Sequence, residues 1–419
     1  MVRIEIFALT FLLNLAVSVN ATAATKAIKL ARLWDGHRVI TDAVVIVEND
    51  KVLSVSARGK IPAGAEVIDL RRYTGIPGMI DSHTHITYYW NGAPDTTPLR
   101  QPPRHVAVTV FLAQENAKKT LEAGVTTIRD LNARGGADID MRDLISMGAM
   151  IGPRMFVSGT GLRSYANRPG VTDPIAEVVK QTKAVIEGGA DWVKVFGSTG
   201  GFDNVTGDQT VSYEEMKAIV DTAHLAGRKV AIHSYGPAGA RDAIRAGCDT
   251  LEHATDMDDA TISELARKKI WYVPTIDHNQ YYVENADNVY KFPAGTKENL
   301  RNYIQRNFET ARKAHRAGVR MLAGSDAVFT GFGLNLRELG WFVKLGMTNE
   351  QALQAATVLP AEMLGMEKSL GSIAPGYFAD IVAVEGDPLT DIQAVIKNVR
   401  WVMKGGVVVV DKTHASRAK

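Results

Sequence analysis

Residues 75–86 read GIPGMIDSHTHI, a short apolar run opened by Gly-Ile-Pro-Gly that ends on two histidines one residue apart. Alternate side chains of an extended chain point to the same face, so His83 and His85 aim at one point in space. Convergence of that kind suggests a metal ion. The same texture then recurs along the chain. Short apolar runs lie at 125–131, 153–159, 191–197, 229–235, 248–253, 270–276 and 319–326. Between successive runs come stretches such as SYEEMKAIVDTAHLAG and ATISELARKK, whose apolar residues recur at helical spacing and which often stop at Gly. Eight such strand-then-helix units predict an α/β fold, a (β/α)8 TIM barrel over 76–370 with its active site at the C-terminal ends of the strands. A doubly wound open sheet is the alternative topology.

The flanks have a different character. AIKLARLWDG, AVVIVENDKVLSVS and AEVIDLRRYTG near one end, and ADIVAVEGDP and NVRWVMKGGVVVV near the other, are short β-rich runs broken by turn residues. They predict one small β-sandwich domain built from both termini, 25–75 and 371–412. Ahead of it, residues 1–24 combine Arg3, an apolar stretch from Ile6 to Val19 and the small residues Ala21-Thr22-Ala23. This pattern predicts a secretory signal peptide and a periplasmic or secreted protein, with no stable membrane insertion after cleavage. An uncleaved anchor is the alternative, but the stretch is short for a span and is interrupted by Asn14. Cys248 is the only cysteine, so no disulfide can form within the chain. Asn20 and Asn204 each open an Asn-x-Thr triplet.

Of 419 residues, 46% are hydrophobic and 22% charged, an ordinary globular composition with ample material for a core. The net charge of +2 comes with no long Lys/Arg block, which argues against nucleic acid as a partner.

On the barrel reading, polar residues at strand ends carry the chemistry. His83 and His85 end the first run, Lys194 lies inside the fourth, His233 ends the fifth, His253 the sixth and Asp326 the eighth. Each has an ordinary structural reading. His233 alone reads as a hydrogen-bonded core histidine, and Asp326 as a helix cap. Lys194 is odder, because a lysine inside an apolar strand must desolvate an ammonium unless it is neutralised, paired or snorkelling at an edge. Taken together, a His-x-His, Lys, His, His, Asp series at successive strand mouths is an arrangement chance rarely produces.

The sequence here resembles the metal-dependent amidohydrolase superfamily, and within it the imidazolonepropionase-like and Xaa-Pro dipeptidase-like (prolidase-related) enzymes. GIPGMIDSHTHI, NAKKTLEAGVTTIRDL, WVKVFGSTGG, YEEMKAIVDTAHLAGRKVAIHSYG, AGCDTLEHA, AGVRMLAGSDA and GSIAPGYFADIVAVEGDPLTDI carry the resemblance. It implies that His83, His85 and Asp326 hold one divalent ion and that His233 and His253 hold a second. It further implies that Lys194 is carboxylated by CO₂ to a carbamate bridging the two, which would also remove the buried positive charge. Zinc is the default for histidine-rich ligation, with manganese or iron also fitting. Asp326 would be the general base and Tyr235, two residues beyond His233, a catalytic and substrate-contacting tyrosine. Relatives often form homo-oligomers.

Loop three, GTGLRSYANRPGVTD, lacks the histidine-containing Gly-rich segment of several relatives and offers Arg163, Tyr165 and Arg168. Either arginine would suit a substrate carboxylate, though solvated loop arginines are commoner. Tyr88, Tyr89 and Trp90 follow the first histidine pair and would wall an apolar pocket or pack on the rim. His278, after the seventh run, faces the same mouth as a substrate contact. His105, His224, His315 and His414 read as surface residues. The expected reaction is hydrolysis of an amide in a dipeptide or N-acyl amino acid. The alternatives are a cyclic amide or a deamination, with lactonase or phosphotriesterase side activity, and last a barrel that binds without catalysing.

Overall fold

Three sheets organise the molecule, described for residues 25–200 and 207–414 of a computed structural model. The expected leader at 1–24 and both Asn-x-Thr triplets lie outside those residues. No helix among the described residues is long and apolar enough to cross a membrane.

The largest sheet draws on both ends of the chain. Its strands are β1 (Thr25–Trp34), β2 (Val39–Glu48), β3 (Lys51–Ala57), β4 (Glu66–Asp69) and β5 (Thr74–Pro77) from one end. Three more, β13 (Ile381–Val384), β14 (Val399–Lys404) and β15 (Val407–Asp411), come from the other. They run in the order β15-β14-β13-β5-β1-β2-β3, with β4 also beside β1. The expected two-sheet sandwich is therefore, by hydrogen bonding, a single sheet. The cause is the long β1, which pairs antiparallel with β2 along one edge and shares its other edge between β4 and β5. Ile28 and Val45 from β1 and β2 nevertheless share one buried cluster with Trp401 and Met403 of β14. The sheet thus wraps over its own core.

The two remaining sheets are parallel. One comprises β6 (Met79–Thr84), β7 (Val125–Asp130) and β8 (Arg154–Val157). The other holds β9 (Trp192–Phe196), β10 (Lys229–Ser234), β11 (Thr250–His253) and β12 (Trp271–Val273). Helices alternate with these strands, as the periodicity predicts. Tyr213–Leu225 starts on a capping box of Ser212 and Glu215, and Pro237–Ala246 stops at Gly247, whose φ of +91° is a left-handed turn open to glycine.

The eighth expected run, 319–326, is not an assigned strand. It bridges the two sheets through backbone bonds. Tyr272 N–H reaches Arg320 O at 2.9 Å and Leu322 N–H reaches Tyr272 O at 3.0 Å on one side. Ser82 N–H to Ala323 O at 2.9 Å and Asp326 N–H to His83 O at 2.7 Å complete the other. Regular pairing fails where Asp326 turns to φ +49°. Gly324 lies so close to its neighbours that a Cβ there would meet Val273 Cγ1 at 2.5 Å and His83 Cβ at 2.9 Å. Across the other gap, Asp191 N–H bonds Val157 O at 2.8 Å, while Leu162 N–H bonds Lys194 O and its carbonyl accepts from Phe196 N–H, both at 2.8 Å.

The first run, 76–83, splits at Gly78 into the end of β5 and the start of β6. A Cβ on Gly78 would lie 2.2 Å from Thr126 Oγ1 and 2.9 Å from Asp380 Cβ, so no side chain fits there. Asp380 completes the junction by accepting from Arg154 Nη1 at 2.6 Å and from Gly405 N–H at 2.7 Å.

Candidate active site

The strand ends bring the expected residues together. His83 and His85 leave β6 toward Asp326, whose Oδ1 lies 3.0 Å from His85 Nε2 and 3.6 Å from His83 Nε2. Its Oδ2 lies 3.3 Å from His278 Nε2. Ring centroids of His83 and His253 are 5.1 Å apart, and those of His233 and His253 4.5 Å. His83, His253 and Asp326 each offer a ligand atom within 4.8 Å of the others. His253 and Asp326, with φ of +73° and +49°, hold left-handed backbone that non-glycine residues seldom adopt.

Lys194, on β9, is buried, and its Nζ has no hydrogen-bond partner. Burial, partly offset by the Glu252 and Asp326 charges, lowers its pKa to about 8. His83 Nε2 is likewise buried and unpartnered. Native interiors rarely leave such atoms unsatisfied, so two of them in one cluster of imidazoles and a carboxylate fit a divalent metal site. The protonation states agree with that fit. Burial, followed by the Lys194 charge, pulls His83 down to about 4, and burial first also holds His233 and His253 well below the usual imidazole value. Neutral imidazole is the form that ligates. Burial opposes ionisation of Asp326, but His278, His83 and His85 outweigh it and hold the carboxyl well below its ordinary range.

Other partners fix the rings from behind. His83 Nδ1 lies 2.8 Å from Glu252 Oε2, and His253 Nδ1 lies 2.7 Å from Thr275 Oγ1. With Nδ1 occupied in each, Nε2 is the nitrogen left for a ligand. Glu252 Oε1 accepts from Arg129 Nη2 at 2.8 Å and from the Thr250 hydroxyl. Burial pushes Glu252 up, yet Arg129 and His83 together hold it at about 2. Arg129 also donates from Nε to Ser82 O at 2.6 Å and from Nη1 to Thr250 Oγ1 at 3.0 Å. Arg129 in VTTIRDL and Glu252 in CDTLEH are charged residues inside apolar runs, as Lys194 is. Two opposite charges inside apolar runs were the signal for this pair.

The substrate candidates divide. Tyr235 is buried with its ring stacked on His253 at 5.0 Å and edge-on to His233 at 4.7 Å. Tyr88 stacks on His85 at 5.0 Å and its hydroxyl accepts from Asn132 Nδ2 at 2.6 Å. Arg163 lies over the Phe196 ring at 4.1 Å, and that ring is 5.7 Å from His233. Arg168 is the exception, because its guanidinium covers Tyr165 and its Nε donates to Ser164 O at 3.0 Å within its own loop. Glu215 anchors the same loop, accepting from Ser164 Oγ and Tyr165 N–H at 3.0 Å. Tyr89 and Trp90 bond to Glu115 and Thr96 along the rim. His105, His224 and His414 are exposed, whereas His315 is half-buried rather than a surface residue.

The sequence profile of the amidohydrolase family matches residues 74–409. The chain belongs to the amidohydrolase family. Relatives of this amidohydrolase include an ochratoxinase and an imidazolonepropionase. Ochratoxinase of Aspergillus niger is 29% identical over 370 residues, covering 79% of this chain and 74% of that protein. Imidazolonepropionase of Streptomyces coelicolor is 25% identical over 380 residues, covering 83% and 86%. Among solved structures, a Xaa-Pro dipeptidase with methionine in its active site superposes with a TM-score of 0.81 at 29% identity, over 92% of this chain and 99% of that one. Amidohydrolase membership and these neighbours imply a TIM barrel with an extra domain, and an enzyme that hydrolyses amide bonds. Divalent metals are general in the family, and the His83, His253 and Asp326 group gives this amidohydrolase a place for one.

Proposed function

We propose that this enzyme hydrolyses the amide bond of a dipeptide or an N-acyl amino acid, with two divalent ions, zinc first, at the strand ends. His83, His85 and Asp326 would hold one ion, His233 and His253 the other, and Lys194 both, as a carbamate. The observation that carries this reading is the buried, unpartnered Lys194 Nζ among neutral imidazoles. Only an uncharged amine adds CO₂, and burial moves Lys194 toward that form. The same reading closes β6 to β12 and the 319–326 segment into one barrel, supported by the backbone bonds that 319–326 makes on both sides.

When bound, the metal supplies Lewis acidity and a water acidic enough to attack at neutral pH. The chain's own residues do the rest. Asp326, ionised and fixed by His85 and His278, takes a proton from the attacking water and returns it to the leaving amine. Tyr235, packed on His253 and His233, orients the substrate beside them. Hydrolysis of a cyclic amide is the second reading, motivated by the likeness to imidazolonepropionase.

The test supplies the enzyme with zinc and bicarbonate, offers a panel of dipeptides and N-acyl amino acids, and follows released amino acids and ammonia beside a chelated control. Metal-dependent release of amino acids is expected. Ammonia alone would replace this reading with deamination. Lys194→Ala should reduce kcat/KM by more than the roughly 10–100-fold that losing an outer partner of a metal ligand costs. Short carboxylic acids should restore part of it, and full activity without Lys194 would refute the bridged site.

A further inference from the structure

Beside the constellation lies a cavity of about 500 Å³, within the range of small-molecule sites. Tyr88, Leu99, Arg104, Arg134, Tyr282 and Phe329 are among the residues that line it. Three of these also touch the catalytic cluster or its wall. Tyr88 stacks on His85, Phe329 lies 5.8 Å from Tyr88, and Tyr282 stands edge-on to His278 at 4.5 Å. The cavity therefore adjoins the place where the amide would react.

Its chemistry is one-sided. Arg104 and Arg134 line it and no aspartate or glutamate does. Arg104 donates to Tyr89 O at 3.4 Å, and neither guanidinium has an ion-pair partner among the described residues. Glu115, which reaches the Tyr89 hydroxyl at 2.9 Å, is already paired with Lys119 at 2.6 Å. Leu99 remains 46% exposed, an apolar side chain left uncovered on the wall. Pro98, Pro102 and Pro103 fix the backbone of the same loop, which lowers the cost of ordering it around a ligand.

Resting on the amide-hydrolase reading above, we propose that this cavity seats one half of the substrate, and that this half is a large apolar or aromatic body carrying a carboxylate. The rings and Leu99 cover the body, and Arg104 and Arg134 take the carboxylate through their planar forks. A free ammonium finds two cations here and no acceptor charge. The preferred substrates are thus amides of bulky apolar amino acids that keep a free carboxylate, and amides whose half in this cavity carries an ammonium are disfavoured.

The experiment uses 2-naphthylacetate, an aromatic carboxylate with no scissile bond, and 2-naphthylethanol, its neutral counterpart, titrated by calorimetry into the metal-loaded enzyme. The carboxylate is expected to bind at least about tenfold more tightly than the alcohol, as a charge-assisted bidentate pair should. The double variant Arg104→Gln/Arg134→Gln should erase that difference while shifting alcohol binding less than twofold and retaining the melting temperature. Equal binding of the two probes by the wild-type enzyme would overturn the proposal. A carboxylate preference that survives the double variant would overturn it too, by placing the anion on the metal site. In parallel, amide pairs differing only in carboxylate against carboxamide are assayed, and the variant should raise KM for the acid about tenfold with a smaller effect on kcat. Cleavage with KM untouched by the variant would sink the cavity assignment and leave amide hydrolysis standing. Naphthylacetate binding that needs the arginines, with no amide cleaved, would do the reverse.

Discussion

Arg129 and Glu252 are both fully buried and paired 2.8 Å apart, and Glu252 in turn holds His83. Removing one partner strands the other charge in the interior, which costs about 3–5 kcal/mol, far more than a surface pair is worth. Glu252→Gln should therefore lower unfolding free energy by about that amount, as read from urea denaturation. The same substitution should weaken metal binding about 10–100-fold, because the His83 ring loses its charged orienter. Unchanged values of both would show that the triad is incidental. The metal-ligand candidates were legible in the sequence because strand ends are recognisable and His-x-His places two rings on one face. The Arg129–Glu252 pair was legible only as two opposite charges inside apolar runs, since its partners lie 123 residues apart and no spacing in the sequence joins them. Arg168 is an apt residue type whose guanidinium is engaged by its own loop.

The helix Ile276–Asn285 shows how one carboxylate can place a whole element. Its N-terminal neighbour Thr275 faces His253 and its third residue, His278, faces Asp326. The exposed donors of its first turn are met by Glu338, whose Oε1 accepts from Ile276 N–H at 3.0 Å and Oε2 from Asp277 N–H at 2.8 Å. Glu338→Ala should cost about 1–2 kcal/mol, comparable to losing a strong helix cap, and should lower the melting temperature. Burial raises the Glu338 carboxyl to about 8 from its ordinary 4.5, against the pull of those two N–H groups. Between these values the native state binds more protons than the unfolded chain, so this group's contribution to stability falls as pH rises from about 4.5 to about 8. Glu338→Gln should flatten the dependence of unfolding free energy on pH in that window, and a slope identical to wild type would contradict the assignment. At this scale the sequence was legible for seven strands of the parallel sheets. The eighth run, 319–326, was legible as an apolar segment but is not a regular strand, because Gly324 and the left-handed Asp326 trade regular pairing for close approach to His83.

At the scale of the molecule, the terminal strands complete a core begun at the other end of the chain. Trp401 and Met403 are at most 1% exposed and share a cluster with Ile28, Leu30 and Val45. Deleting residues 399–414 should leave that face of β1 and β2 open to water, with loss of soluble, protease-resistant protein, and the full chain should melt in one calorimetric transition. A soluble truncated form with native melting would show that the terminal strands are dispensable. That both termini share a sheet was legible from their common β-rich texture, whereas its continuity was not, because only three-dimensional pairing reveals that β1 serves two partners on one edge. The junction at Gly78 has a further consequence for how such chains can be recombined. One residue separates β5 from β6, so a donor segment spliced between them with a single residue added or lost would slip the strand by one position. Such a slip exchanges the two faces of β6, presenting Ser82 and Thr84 where His83 and His85 now stand. The small sheet and the strand that carries His83 are consequently inherited as one piece, and tolerated crossovers between relatives should fall outside 74–84.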